Sequence, residues 1–215
     1  MMTLYAIVGA RPARGLGKGL AGGALSVVSA AGAFVVVERA PASEAGVEAM
    51  RAYDRIVRRI ARASPAVLPF RFGSAVPDAR ALATSLAPVR PAIARALAKV
   101  EGCVQFTLRV FGEAAPLPAP ARRRGGPGTR WLDARMAARR VSEIAPVTAS
   151  TTPFVRAAKS LRHDRAPLLA SVYHLVSRAD ARRYRAALAA ASRALVAVRV
   201  EATGPWPPYA FAELE

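Results

Sequence analysis

Near its carboxyl end the chain reads Thr203-Gly204-Pro205-Trp206-Pro207-Pro208-Tyr209-Ala210-Phe211. Three prolines within four positions fix φ and remove backbone donors, so the segment cannot form a helix interior or a central strand. We expect it to run extended, as polyproline II or a rigid turn that carries three aromatic rings. It is either an internal clamp or a ligand for an aromatic groove on another protein. Because it directly follows the last predicted strand, the internal role is favoured, with Trp206 and Phe211 covering the sheet of a second domain.

Outward from this segment, short strands alternate with amphipathic helices. We predict strands at residues 3–8, 25–29, 34–38, 67–73, 103–111, 168–176 and 196–203. Helices are predicted from an N-cap at Ser43 to residue 63, over 78–100 with a break at Pro88, over 129–150, and from a capping box at Ser177 to about residue 195. In the first helix, Val47 and Met50 belong to the predicted buried stripe. Residues 151–161 fit more than one structure. This order predicts an α+β fold with mainly antiparallel sheets covered by helices.

A segment rich in Pro, Gly and Arg divides the predicted elements into two groups. It spans residues 113–128 and contains Arg122, Arg123 and Arg124 between prolines and glycines. Such a composition is typical of a linker. The sequence therefore predicts an N-terminal α+β domain at 1–112 and a C-terminal α+β domain at 129–215, the latter ending in the proline-rich segment.

The chain is strongly basic. Its 215 residues include 32 Lys and Arg against 14 Asp and Glu, for a net charge of +18, and arginine greatly outnumbers lysine. Two interpretations stay open: a functional basic surface, or compositional drift that places arginine on solvated faces. The phosphate backbone of a nucleic acid could be bound by Arg122 to Arg124 and by a predicted helix that carries Arg135, Arg139 and Arg140. No aromatic RNA-binding strand or groove-reading motif accompanies them, so nucleic-acid binding is an alternative and not the preferred function.

Residues 19–37 carry no charge and approach the length of a membrane span. Glycines, serines and alanines dilute the stretch, and its strongly apolar residues form two short clusters. Two strands explain this pattern better than a transmembrane helix, so we expect a protein that does not span a membrane. The single Cys103 excludes an internal disulfide and suits a reducing compartment, which favours a cytoplasmic location.

The motifs that could carry chemistry are weak. Gly17 to Gly22 reads G-x-G-x-x-G and Glu38 ends a later apolar strand, but a loop containing Pro12 separates these glycines from the first strand. Cys103, His163 and His174 are too few to form a metal site. No pattern presents a serine nucleophile. We therefore expect no catalytic, cofactor or metal site, no small-molecule substrate, and a protein that is not an enzyme.

Several segments together match one known family. They are the strand Leu4 to Val8, the segment Val67-Leu68-Pro69-Phe70-Arg71-Phe72-Gly73, Glu101-Gly102 before the next strand, Trp131-Leu132, the strand 169–176, and the proline-rich segment 203–211. On these residues the chain resembles the gas vesicle GvpL/GvpF family along nearly its whole length. It departs from the family pattern in the Gly-rich region 14–23 and at Ser74, where Thr is expected.

The resemblance implies two α+β domains with ferredoxin-like elements in each half. It also implies a non-enzymatic accessory of gas vesicle assembly that binds or chaperones the small hydrophobic shell protein and other Gvp accessory proteins. The expected location is cytoplasmic and associated with gas vesicles, and whether the protein remains as a minor vesicle component stays open. No cofactor is implied. The candidate interaction or structural signature comprises Phe70, Arg71, Phe72, Trp206, Tyr209 and Phe211.

Overall fold

The structure is a computed structural model that describes residues 1–12, 15–113 and 141–213. Its contacts divide the chain into two compact units. The first unit combines Met1–Gln105 with Trp206–Glu215, and the second comprises Phe106–Pro205. The first unit is therefore built from two segments that lie far apart in the sequence.

The sheet of the first unit is organised around its first strand. Its strands are β1 (Met2–Val8), β2 (Ser26–Ala30), β3 (Ala33–Glu38), β4 (Val67–Pro69) and the short β5 (Ala75–Val76). The order is β2-β3-β1-β4, with β5 also paired to β1, and these pairings are antiparallel. Every residue of β1 is buried, as expected for an apolar strand between two neighbours. The predicted β2–β3 hairpin is confirmed.

Three helices belong to the first unit: α1 (Val47–Ala63), α2 (Ala79–Leu86) and α3 (Arg90–Val100). A 3-10 turn, Ala87–Val89, separates α2 from α3 at the predicted break. The predicted start of α1 is wrong, because Gly46 is the extended N-cap residue and no side chain caps the helix. The buried stripe of α1 consists of Tyr53, Ile56, Val57 and Ile60.

The second sheet consists of β6 (Cys103–Gly112), β7 (Val155–Arg162), β8 (Leu168–Ser177) and β9 (Val198–Trp206), in the order β7-β8-β6-β9. Helix α4 (Ala145–Thr151) precedes β7, and α5 (Ala181–Ser192) connects β8 to β9. In the part of this unit that the structure describes, the elements follow a β-α-β-β-α-β sequence, and with this strand order they form the ferredoxin-like arrangement. The α+β class predicted from the sequence is confirmed.

Several predicted boundaries differ from the structure. Strand β6 joins the second sheet and buries Phe106, Leu108 and Val110, so the units divide at residue 105 and not after residue 112. Residues 114–140 lie outside the described residues. They include the proposed linker apart from Glu113, and the predicted helix up to residue 140. Pro146 stands in the first turn of α4, where its missing N–H costs nothing, and does not end a helix.

Two further local predictions are wrong. The predicted strand over 67–73 stops at Pro69, and the chain from Phe70 to Ser74 is irregular. The predicted capping box at Ser177 does not form around α5. Instead, the Ser177 hydroxyl accepts from the amide of Ala179, while the carboxylate of Asp180 pairs with Arg183. A turn that places Asp180 at the N-cap prevents the reciprocal pattern.

Candidate interaction surface

From Trp206 onward, the proline-rich segment belongs to the first unit. Its first residues continue β9, an end strand of its sheet, which is the position where a strand tolerates proline. Pro207 and Pro208 are buried, and a 3-10 turn at Tyr209–Phe211 places Phe211 in the core with 3% of its surface exposed. The segment packs with the first unit, although the sequence places it over the sheet of the second domain. Proximity along the chain suggested the wrong packing partner.

Side chains of α1 hold this segment from one side. The Tyr209 hydroxyl donates to Asp54 Oδ1 at 2.9 Å, and Arg58 Nε donates to Asp54 Oδ2 at 2.6 Å. The Arg58 guanidinium also lies 3.9 Å from the centroid of the Trp206 ring, a cation–π arrangement. Burial, followed by the charge of Asp54, raises the pKa of Tyr209 well above its ordinary value. Tyr209 therefore stays protonated and remains a donor at neutral pH.

The other end of the segment is held by groups from α3 and β6. The amide of Ala210 donates to Gln105 Oε1 at 2.8 Å, and the Lys99 ammonium lies 5.7 Å from the centroid of the Phe211 ring. Gln105 is almost fully buried, so its hydrogen bond satisfies a polar group that would otherwise be costly in the core.

The segment 70–72 is positioned against β1 and α1. The amide of Phe70 donates to the carbonyl of Tyr5 at 2.9 Å, and the Tyr53 hydroxyl lies 2.9 Å from the carbonyl of Phe70. The rings of Tyr53 and Phe72 meet edge to face with centroids 5.5 Å apart. Tyr53 stacks in turn on Tyr5, with centroids 5.2 Å apart. A buried pair of tyrosines therefore supports both the backbone and the ring of this segment.

These elements enclose a cleft of about 730 Å³ on the first unit. Leu68, Pro69 and Tyr53 are buried residues of its walls. Among the described residues, the cleft is lined by Ile7, Met50, Tyr53, Asp54, Leu68, Pro69, Phe70, Arg71, Phe72, Ser74, Tyr209, Ala212 and Glu213. Here we call it the α1 cleft.

The structure brings most of the predicted signature together. Phe70, Arg71, Phe72 and Tyr209 line the α1 cleft, although more than a hundred residues separate the two stretches. Trp206 lies against Arg58 of the same helix, and Phe211 is in the core. Phe211 is therefore a core residue, whereas the side chain of Arg71 is 90% exposed.

Sequence reasoning missed two exposed apolar residues at the start of α1. Val47 is 60% exposed and Met50 is 48% exposed, whereas the helical spacing placed both in the buried stripe. The true stripe is centred on Tyr53, Ile56 and Ile60, and positions 47 and 50 lie at its margin. The spacing of the strongly apolar residues 53, 56, 57 and 60 indicates that the buried stripe is shifted by part of a helical turn from the predicted one.

The glycine-rich loop binds a carboxylate of the protein itself. Glu38 is 1% exposed, and its Oε1 accepts from the amide of Gly23 at 2.8 Å. Its Oε2 accepts from the amide of Ala21 at 3.2 Å and from the Tyr5 hydroxyl at 2.7 Å. The amide of Leu20 donates to the Tyr5 oxygen at 2.9 Å. The amides that a dinucleotide motif would offer to phosphate are thus directed at Glu38, which stabilises the loop over β1 and β3.

Both histidines belong to the second unit. His174 Nδ1 lies 2.9 Å from the Tyr184 hydroxyl in the second unit, and burial lowers the pKa of His174 to about 4. His163 Nε2 lies 2.9 Å from the Ser171 hydroxyl. Among the described residues, no three His, Cys, Asp or Glu side chains are grouped closely enough to hold a metal ion. The arginines at 122–124, 135, 139 and 140 lie outside the described residues.

Comparison with known proteins identifies similar sequences and folds. The sequence model described as "Gas vesicle synthesis protein GvpL/GvpF" matches residues 2–213. The fold is similar to the crystal structure of the gas vesicle protein GvpF from Anabaena sp. PCC7120, with a TM-score of 0.77, 15% identity, and coverage of 100% of this chain and 96% of that chain. It is also similar to the crystal structure of GvpF from Microcystis aeruginosa, with a TM-score of 0.78, 14% identity and 99% coverage of both chains. No curated protein sequence matches the chain.

Hydropathy adds one observation. In the part of the chain that the structure describes, no helix combines the length and apolar character needed to cross a bilayer.

Proposed function

The chain belongs to the GvpL/GvpF family of gas vesicle synthesis proteins, and from this premise we propose that it is a non-enzymatic accessory of gas vesicle assembly. In this proposal it binds or chaperones the small hydrophobic shell protein and contacts other Gvp accessory proteins. It acts in the cytoplasm, in association with the growing vesicle. The proposed role requires no cofactor or small-molecule substrate, because the protein binds other proteins and catalyses no reaction.

The observation that carries the proposal is the α1 cleft together with the exposed residues beside it. Its walls are largely apolar, and Met50 at its edge is half exposed. Exposed apolar surface next to a cleft is typical of sites that bind other proteins. A protein that handles hydrophobic subunits before they assemble needs such a surface, since those subunits bury apolar area only in the finished shell.

Copurification tests the proposal directly. The full-length chain would be expressed with an affinity-tagged shell protein of the same vesicle system and isolated through the tag. We expect the chain to copurify with the tagged shell protein after a wash at physiological salt. A tagged soluble protein of similar size provides the background level.

A genetic test addresses the role in assembly. Deleting the gene should abolish gas vesicles or lower their yield, and expression of the intact chain from a plasmid should restore them. Normal vesicle yield in a deletion strain without a second copy of the gene would contradict the proposal. Binding of DNA or RNA that weakens steeply with salt, without any binding of shell protein, would instead support the nucleic-acid alternative.

A further inference from the structure

The outward face of α1 is a basic ridge beside the α1 cleft. Arg51, Arg55 and Arg62 are exposed on it, at spacings of four and seven residues that place them on one side of the helix. Among the described residues, Arg51 and Arg55 make no ion pair. The ridge therefore presents unneutralised positive charge along about three turns of helix.

The opposite bank of the cleft is also basic at its outer edge. Arg71 lines the cleft with its side chain 90% exposed, and its contact with Glu213 spans 3.8 Å between two exposed groups. An exposed ion pair of this kind contributes little and is easily exchanged. Inside the cleft, Asp54 already accepts from Tyr209 and Arg58. Asp54 is thus engaged on both carboxylate oxygens, whereas Arg71 is held only by this weak exposed pair.

Apolar residues lie between the two basic banks. Met50 is half exposed at the edge of the cleft, one position before Arg51, and Phe72 and Tyr209 contribute rings to the walls. Val47, one turn before Arg51, extends the apolar surface towards the start of α1. The surface therefore consists of an apolar stripe flanked by positive charge.

From this arrangement we infer that the α1 cleft binds an acidic amphipathic α-helix of a partner protein. The apolar face of that helix packs on Met50, Phe72 and Tyr209, and its carboxylates pair with Arg51, Arg55 and Arg71. Charge complementarity selects this occupant, because a purely apolar segment leaves the arginines unused and a basic helix is repelled. A helix-in-groove contact of this type places anchors at three- and four-residue spacing. The inference deepens the proposed function, since it assigns the site through which the accessory protein holds its partner.

The first test uses a synthetic probe, so that it does not depend on identifying the partner. The probe is a fluorescently labelled peptide of about 18 residues, long enough to form a helix in isolation, with Leu at helical spacing on one face and Glu on both flanks. The matched peptide replaces every Glu by Lys. We expect the acidic peptide to bind the full-length protein by fluorescence anisotropy, with weaker binding as salt is raised, and the basic peptide to bind at least tenfold more weakly.

Variants locate the binding site. The double variant Arg51→Glu/Arg55→Glu and the single variant Met50→Asp change exposed side chains, so the fold should be retained. Each should weaken binding of the acidic peptide by about tenfold, the first by reversing charge and the second by adding a carboxylate to the apolar stripe. The control Arg80→Glu/Arg95→Glu makes the same charge change at exposed positions of α2 and α3 and should weaken binding by less than about twofold.

The outcomes separate the site from the proposed function. Equal losses in the α1 and control variants would show that binding reflects net charge alone, and would overturn the inference. Loss of peptide binding in the α1 variants, together with unchanged copurification of shell protein, would place the shell protein elsewhere and assign the cleft to another accessory partner. Shell protein that copurifies with the native chain and equally with all variants, without any peptide binding, would overturn the cleft assignment while leaving the proposed function intact.

Discussion

Replacing Gly19 by alanine should destabilise the first unit by steric conflict with a buried carboxylate. A Cβ atom at position 19 would lie 2.1 Å from Glu38 Oε2, 2.4 Å from Glu38 Cδ and 2.8 Å from the Tyr5 hydroxyl oxygen. Real contacts of this type require more than 3 Å, so one side must move by about 1 Å. Glu38 cannot move into open space, since it is 1% exposed.

The magnitude follows from what that movement breaks. If Glu38 moves, Oε2 loses its hydrogen bonds from Tyr5 and Ala21; if the loop moves, the amides of Ala21 and Gly23 withdraw from the carboxylate. Hydrogen bonds to a charged group contribute about 1.5–3 kcal/mol each, and overpacking alone costs about 1–3 kcal/mol. Partial relaxation reduces the sum, so we expect a loss of about 2–4 kcal/mol in the free energy of unfolding.

Urea denaturation followed by tryptophan fluorescence measures this loss. The chain has two tryptophans, and a Trp131→Phe background leaves Trp206, which belongs to the same unit as Gly19, as the only reporter. Gly15→Ala is the matched control, because no heavy atom lies within 4 Å of its added Cβ. In a Glu38→Ala background the cost of Gly19→Ala should fall by about half or more, since the two closest contacts are absent and only the contact with the Tyr5 hydroxyl oxygen at 2.8 Å is left.

Agreement of Gly19→Ala with Gly15→Ala within about 0.5 kcal/mol would refute this reasoning. The same conclusion would follow if the cost of Gly19→Ala were unchanged in the Glu38→Ala background. Either result would mean that the glycine-rich loop is not packed on the carboxylate.

Two other predictions concern the proline-rich segment and the second unit. Phe211→Ala should lower the free energy of unfolding by about 3–5 kcal/mol in the urea assay, because Phe211 is in the core. The loss for Trp206→Ala should be about 1–3 kcal/mol smaller than the loss for Phe211→Ala, because Trp206 is only half buried. Equal losses for the two variants would contradict this ranking. The pKa of His174 is lowered to about 4 in the native state, whereas in the unfolded chain it is about 6.5. As pH falls below about 6.5, the unfolded chain therefore binds a proton that the native state does not, and the free energy of unfolding decreases until about pH 4. Unfolding at pH 4.5 should therefore require about 2–3 kcal/mol less than at pH 7.5 through this group, and a His174→Gln variant should remove that part of the pH dependence; identical pH profiles would argue against it.

The strands were the most predictable part of the fold. Alternating or continuous apolar residues between glycines and prolines marked β1, β3, β6 and β8 to within a few residues. Local chemistry decides these elements, because a β-branched run bounded by turn residues has few other structures available. Helix ends were less predictable, as Ser43 has the chemistry of an N-cap but the chain stays irregular until Gly46.

Long-range contacts explain the errors about the site. The sequence identified the 70–72 and 206–211 segments, but not that they meet at α1, since nothing local links Tyr209 to Asp54 across 155 positions. For the glycine-rich loop, the sequence argued against a nucleotide site but did not indicate that the loop amides bind a carboxylate of the same chain. Its acceptor, Glu38, is supplied by a strand that follows it, and only the folded chain shows that the carboxylate lies beneath the amides.

The division of the first unit into two chain segments has a consequence for synthesis. The ribosome must add residues 106–205 after the first 105 before it reaches the residues that fill the core with Phe211 and close the α1 cleft with Tyr209. At about 5–20 residues per second, that interval lasts about 5–20 s. For that time the nascent chain carries an unfinished core and cannot offer a complete cleft. Translation order thus delays completion of the α1 cleft until the second unit has been made, and a message cut short after residue 205 yields a chain whose first unit lacks Tyr209 and Phe211.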